Sequence, residues 1–454
     1  MRNLILVIGF ILTGIAGYSQ IQYLRYNDDF SFLKSDSVDK RGFQKLKYIH
    51  LSAKLKVSFG GEVREQLQWY NNINFGDMPP TFQTQNVWQL WHRIMAHTNI
   101  EAGQKTRVFV QLNSTQRFLN HNPLAPEIEQ NELSLHQAFI DYRFNKFWMA
   151  RIGRQEISYG SHRLITFREG PNTRLTFDAA ILKYNNGRRK VDVFAISPVI
   201  SQKGVFDDQT FKDLAAGIYA TEKLAKKLSI DYYLVHFHSS RRQYNFVAGI
   251  ENREISGFRL FSENPKTNYE VEGTYQFGKF RQLSINAFGI SADLNHKIVF
   301  KKNMIIGLAG NYLTGDNSRT DRHLNTYNLL YSKPQYGLTA PIGATNMITI
   351  NPYLRINPVR KINVYLAANF IWRESNQDGT YSPGALEVRP RPENLFVSSE
   401  KQLGTLLALE SAYAINSNFS IAVDASKFFA SKYVKQTGAG RDITYYSLKA
   451  SFKL

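Results

Sequence analysis

From Val57 to the last residues, apolar and polar side chains alternate with a period of two, one stretch after another, and this alternation limits the fold more than any other feature. Residues 362–373 show it most cleanly. Ile362, Val364, Leu366, Ala368, Phe370 and Trp372 make one face, and Asn363, Tyr365, Ala367, Asn369 and Arg373 make the other. The last stretch repeats it, with Tyr446, Leu448, Ala450, Phe452 and Leu454 opposite Tyr445, Ser447, Lys449, Ser451 and Lys453. Eighteen such strands are read, at 57–70, 87–100, 106–118, 135–145, 147–156, 175–184, 190–198, 214–222, 227–237, 247–260, 268–277, 282–292, 303–314, 346–357, 361–373, 402–414, 418–430 and 444–453. Their connections sort by parity. After even strands they are tight, as in EAGQK (101–105), NNGRR (185–189), NPVRK (357–361) and INSN (415–418). After odd strands they are mostly long, above all 315–345 and 374–401, with FGKFR (277–281) the break in the rule. Short turns at one end and long loops at the other are the asymmetry of a membrane barrel. The expected fold is therefore all-β, a transmembrane antiparallel up-and-down β-barrel of about 18 strands.

The bulk properties agree. No internal run approaches the ~18–20 apolar residues of a membrane helix, and apolar residues are only 43% of the chain. Barrel strands escape that test, because lumen-facing polar residues dilute the lipid-facing ones. The first twenty residues read as a signal peptide: Arg2 is basic, 4–15 is apolar, and Gly17 and Ser19 flank a cleavage point near Gln20. The expected organisation is a signal peptide at 1–20, a periplasmic N-terminal extension at 21–48 that plugs or flanks the barrel mouth, and the outer-membrane barrel at 49–454. Cysteine is absent, which excludes disulfides and thiolate chemistry. The formal charge of +19, from 56 basic and 37 acidic residues, calls for anionic partners. Nucleic acid is not expected, since the basic residues are scattered singly along strands and form no helical or finger motif.

Several long motifs, in order, resemble the bacterial alginate-export family of outer-membrane barrels. They are LRYNDDFSFLK (24–34), KYIHLSAKLKVSFGGEVRE (47–65), RIGRQEISYGSHRLITFREGPNTRLTFDAA (151–180), TGDNSRTDRHLNTYNLLY (314–331), NFIWRESNQDGTYSPG (369–384) and TGAGRDITYYSLKASFKL (437–454). The resemblance implies an eighteen-stranded barrel whose arginine- and lysine-lined pore conducts a polyuronate by electrostatic attraction.

Side-chain parity gives the candidate pore residues. Arg64, Arg93, Arg107, Arg143, Arg151, Arg174, Arg355 and Arg373 are expected to line the lumen, with Asp141, Asp178, Glu410 and Asp424 holding them in place. Around residue 175 the apolar face (Leu175, Phe177, Ala179, Ile181) is expected outside and Arg174, Thr176 and Asp178 inside. Arg163, Arg168 and Glu169 belong to the loop between those strands. A ladder of guanidiniums pairs in turn with the carboxylates of a passing uronate chain. For each arginine, a structural lumen ion pair is an equally weighted reading.

Other chemistry is weaker. His236 and His238 lack a third metal ligand, so no metal site is expected there. Ser158, Ser161, His162 and Asp178 have the residue types of a hydrolase triad without a nucleophile elbow, and read as a loop hydrogen-bond network, with no catalytic residue expected. The acidic pairs Asp207 with Asp208 and Asp316 with Asp321 could bind calcium or be solvated; solvation is the favoured reading, and no cofactor apart from such loop calcium is expected. The expectation is a monomeric outer-membrane channel for an anionic polysaccharide or oligosaccharide, with outer-membrane lipid and the barrel-assembly machinery as further partners. The alternatives are a general anion porin for small organic acids and, from another class, a barrel enzyme or an adhesin.

Overall fold

The computed structural model describes residues 21–33, 40, 42–78, 86–119, 127–244, 246–299, 303–333, 337–339, 341–389 and 398–454. The expected signal segment lies outside the described residues. The wall is built from β1 (Leu55–Asn71), β2 (Asn86–Ala102), β3 (Thr106–Phe118), β4 (Asn131–Arg143), β5 (Trp148–Gln155), β6 (Phe177–Asn185), β7 (Arg189–Pro198), β8 (Asp213–Ala225) and β9 (Leu228–Tyr244). It continues through β10 (Val247–Ser262), β11 (Thr267–Phe280), β12 (Leu283–Val299), β13 (Asn303–Leu313), β14 (Met347–Asn357), β15 (Ile362–Trp372), β16 (Gln402–Ala414), β17 (Phe419–Ala430) and β18 (Ile443–Lys453). Each strand pairs antiparallel with the next, and β18 returns to β1, with Tyr446 opposite Trp69 and Lys453 opposite Glu62. Closure leaves no long unpaired edge, so backbone donors and acceptors are satisfied inside the wall, as a lipid surround demands.

All eighteen strands read from the alternation are present, and the even-numbered connections are tight turns throughout the described residues. The irregularity at FGKFR is real and has a structural meaning. β9 to β12 are 17, 16, 14 and 17 residues long, beyond the ~9–11 that cross a bilayer. Here the wall rises as two tall hairpins, turned at Phe246 and Arg281 in the left-handed region (φ +60° and +53°), in place of a loop.

On the outside, Val63, Ile94, Ile140, Ile152, Leu182 and Val193 are exposed in the way a lipid-facing band requires. Aromatic residues flank the band. Trp69 stacks on Tyr446 (5.5 Å) and leans on Trp88 (6.3 Å) toward the long loops, while Trp148 packs on Tyr184 (4.9 Å) beside the short turns.

The interior is partly filled by inward-folded connections. The connection 156–176 folds inward as a strap, and Leu164 and Ile165 pack with Phe177, Ile181, Phe194, Tyr233, Phe237, Ile255, Leu330 and Tyr331 in one buried apolar cluster. The connection 314–346 lies against the strap: Ile165 and Tyr331 form a parallel bridge, and the Lys333 N–H donates to the His162 carbonyl (2.9 Å).

Candidate functional site: the arginine-lined lumen

The inward faces of β1 to β5 carry long basic side chains because parity leaves them no other place, and each must find counter-charge once removed from bulk water. Two tiers result. In the upper tier, Arg93 on β2 donates to Glu62 on β1 (2.5 Å) and to Glu169 of the strap (2.6 Å). Arg64 reaches the strap carbonyls of Glu169 (3.2 Å) and Pro171 (3.1 Å). Arg174 lies between Glu156 (2.9 Å) and Glu169 (3.1 Å). Burial by itself pushes the Glu169 carboxyl up, but the guanidiniums of Arg93 and Arg174 outweigh it and hold it well below the usual carboxylate range.

In the lower tier, Asp141 on β4 is shared. Arg107 donates to it through Nε (2.8 Å) and Arg151 through Nε (2.6 Å). The Arg151 guanidinium also lies over the rings of Phe139 (4.1 Å) and Tyr26 (4.2 Å). Tyr26 belongs to the segment before the barrel, which enters the lumen. The carbonyl of Tyr26 accepts from Arg107 (2.7 Å) and that of Tyr23 from Arg174 (2.8 Å). Arg25 anchors the segment at the closing seam by donating to the Gly61 carbonyl (3.0 Å) and to that of Leu454.

The strap's other end is fixed to the far wall. Arg163 pairs with Glu270 and with Glu272 (3.2 Å) on β11, and Ser161 donates to Glu272 (2.6 Å). The strap therefore spans the bore from β1 and β2 to β11, held by ion pairs at both ends. Its root turns at Gly160 (φ +51°), where a Cβ would stand 2.4 Å from the Tyr219 hydroxyl. A side chain there would be strained at that φ and would have to displace the hydroxyl.

Toward the short turns a cavity of about 980 Å³ opens below the lower tier. The N-terminal segment (Leu24, Tyr26, Asn27) and the strap root (Tyr159, Gly160) form its inner end, and Lys105, Arg143, Lys146, Lys183 and Lys190 line its sides.

Several expected site residues are placed otherwise. Asp178 does not line the lumen. It shares the outer face with Ala180 and Leu182 and pairs with Arg154 (2.8 Å), while Phe177 and Ile181 point inward into the apolar cluster. The strap covers this patch of inner wall, so the inner face is apolar there as well as most of the outer one. Arg174 reaches the lumen from the strap, before β6 begins. Arg373 has the expected parity but is sealed in by the connection that follows it, donating to the carbonyls of Asp378 (2.8 Å) and Ser398 (2.7 Å) and stacking on Tyr433 (3.8 Å). Arg168 likewise donates to a carbonyl, that of Ser332 (2.8 Å). Arg355 faces inward over Tyr353 (4.9 Å) and Tyr365 (5.3 Å). Glu410 and Asp424 face each other across β16 and β17, where Asp424 accepts from Ser447 (2.8 Å).

The serine and histidine of the loop form a local network: Ser158 Oγ and His162 Nδ1 are 2.5 Å apart and Thr166 completes the triangle, with Asp178 committed to Arg154. His236 and His238 lie on the outer face, against Glu254 (2.6 Å) and Asn252 (2.7 Å). Asp208 accepts from Asn131 at the start of β4 (2.8 Å) and Asp321 from the His323 N–H in its own loop (2.9 Å).

Sequence reasoning missed Glu62, Glu156, Glu270 and Glu272, the acids that hold the arginines. Glu62 was within reach, since it shares the face of Arg64 two residues on.

The sequence model of the alginate export family matches residues 55–445. No curated protein matches the chain. Among solved structures, OpdO of Pseudomonas aeruginosa aligns with a TM-score of 0.57 at 9% identity over 88% of this chain and 97% of its own. OccK2 (OpdF) of the same species gives 0.59 at 9% identity, over 88% and 97%. A BenF-like porin from Pseudomonas fluorescens Pf-5 gives 0.58 at 10% identity, over 88% and 98%. At such identities the likeness is one of fold, that of outer-membrane porins.

Proposed function

Because the chain belongs to the alginate export family and has the barrel of an outer-membrane channel, we propose that it passes an anionic polysaccharide or oligosaccharide of the polyuronate type, without chemistry. The observation that carries this reading is the two-tier set of five inward arginines, Arg64, Arg93, Arg107, Arg151 and Arg174, between the wall and a strap across the bore. A uronate chain carries one carboxylate per sugar. Each carboxylate can replace one of the protein's own acceptors at a guanidinium, so the polymer advances by exchange and is never bound at a single deep site. Fields inside a low-dielectric wall are less screened than at a surface, which favours anions over cations throughout the bore.

A second reading, a porin for small organic acids, is favoured by the filling of the bore by the strap and the 314–346 connection. Both readings require anion selectivity. Reversal potentials in a salt gradient should show it, and the Arg151→Gln/Arg174→Gln double variant should lower it. Selectivity unchanged in that variant would remove both residues from the pathway.

A further inference from the structure

The two ends of the barrel differ in charge. Within the described residues, the seven short turns (103–105, 144–147, 186–188, 226–227, 263–266, 358–361 and 415–418) carry eight lysines or arginines and one acid, Glu263. The connections at the opposite end, the strap aside, carry twelve basic and twelve acidic residues among those described. The basic rim is continuous with the cavity of about 980 Å³, a volume at the upper end of ordinary ligand sites. Its cations differ from those deeper in. Every arginine of the two tiers is held by a carboxylate or carbonyl of the protein. Among the described residues, by contrast, Lys105, Arg143, Lys146 and Lys190 have no carboxylate in ion-pair range, and the single acid of the lining, Asp192, is taken by Lys183 (2.6 Å). Arg143 shares the inward face of Asp141, and Lys190 that of Asp192. They are thus turned into the cavity and away from lipid headgroups outside the wall.

We infer that this mouth is a capture site for a short stretch of acidic polysaccharide, whose carboxylates are drawn in by Lys105, Arg143, Lys146 and Lys190 before they reach Arg151 and Arg107. This rests on the proposed polyuronate reading and adds to it the end at which the chain is loaded. Cations without partners offer attraction at long range and hold weakly, the requirement for an entry site that must also release its ligand. Balanced charge at the other end gives no such steering.

The test is uronate block of single channels, with a short uronate oligomer added to one chamber and then the other. In the wild type the block should begin about tenfold or more faster from the short-turn side. In Arg143→Gln/Lys146→Gln/Lys190→Gln the on-rate from that side should fall by a similar factor, with the duration of each block and the on-rate from the other side unchanged. Equal on-rates from the two sides, or a variant that keeps the wild-type rate, would overturn the capture site and leave the conduit reading standing. A wild type that selects anions but is never blocked would sink the conduit reading. Binding of the oligomer to solubilised protein, followed by Trp148 fluorescence, then decides the capture site: binding lost in the triple variant supports it, and no binding by the wild type overturns it.

Discussion

Asp141 illustrates how the lumen stores positive charge. One carboxylate serves Arg107 and Arg151 together, so two guanidiniums are kept in fixed rotamers at the cost of one acid. Asp141→Asn leaves both without their counter-charge, and removing one member of a buried ion pair costs ~3–5 kcal/mol. The variant should unfold at lower denaturant concentration while its reversal potential moves toward stronger anion preference. A loss of anion preference would show that Asp141 is not the group restraining these arginines. Asp141 was legible because Ile140 and Tyr142 alternate with Asp141 and Arg143 at the end of β4. Asp178 was not, although its strand alternates just as well, because parity tells two faces apart and cannot say which is inside where a strap covers the lumen wall. Arg373 and Arg168 escaped for a related reason: carbonyls of folded connections satisfy them, and backbone acceptors leave no trace in a sequence.

Among the elements, the strap is expected to lose stability on protonation. His162 is pushed down to about 3 by burial and by the nearby charges of Lys333, Arg259 and Arg163, and is neutral where the strap is packed, with Ser158 and Thr166 as hydrogen-bond partners. Released into water it would titrate near 6.5. The released form thus binds more protons, so the packed strap is fully stable above about pH 6.5 and loses stability as the pH falls toward 3. Glu169, held below its ordinary value by Arg93 and Arg174, adds in the same direction at lower pH. Single-channel conductance should therefore rise on acidification from pH 7 to 4, and His162→Gln should remove the first part of that rise. A pH-independent conductance would mean that the strap stays in place. The N-terminal segment is a second element inside the lumen, where the Tyr23 and Tyr26 carbonyls occupy Arg174 and Arg107. Deleting residues 21–33 should raise conductance and lengthen block by uronate. Unchanged conductance and block would show that the segment does not obstruct the path. The strands themselves were the most legible elements, and even FGKFR, which broke the loop rule, marks a place where the wall replaces a loop by height.

At the scale of the molecule, the barrel separates two jobs. Its outer face carries an apolar band with aromatic girdles, which fixes it in the outer membrane, and its inner face is divided between an arginine wall on β1 to β5 and an apolar wall on β6 to β10 under the strap. The eighteen-strand plan was readable from alternation and turn lengths, which are local properties. The inward folding of the connections was not, because it depends on contacts more than a hundred residues apart, such as Arg64 with Glu169 and Arg163 with Glu270. The most direct test of the whole is single-channel conductance of the refolded protein in planar bilayers, with reversal potentials in a salt gradient and added alginate oligomers against neutral oligosaccharides. Anion selectivity with concentration-dependent block by the uronate, and none by the neutral sugars, is the predicted result. Conductance without anion preference, or block by neutral and acidic sugars alike, would contradict a charge-guided polysaccharide channel.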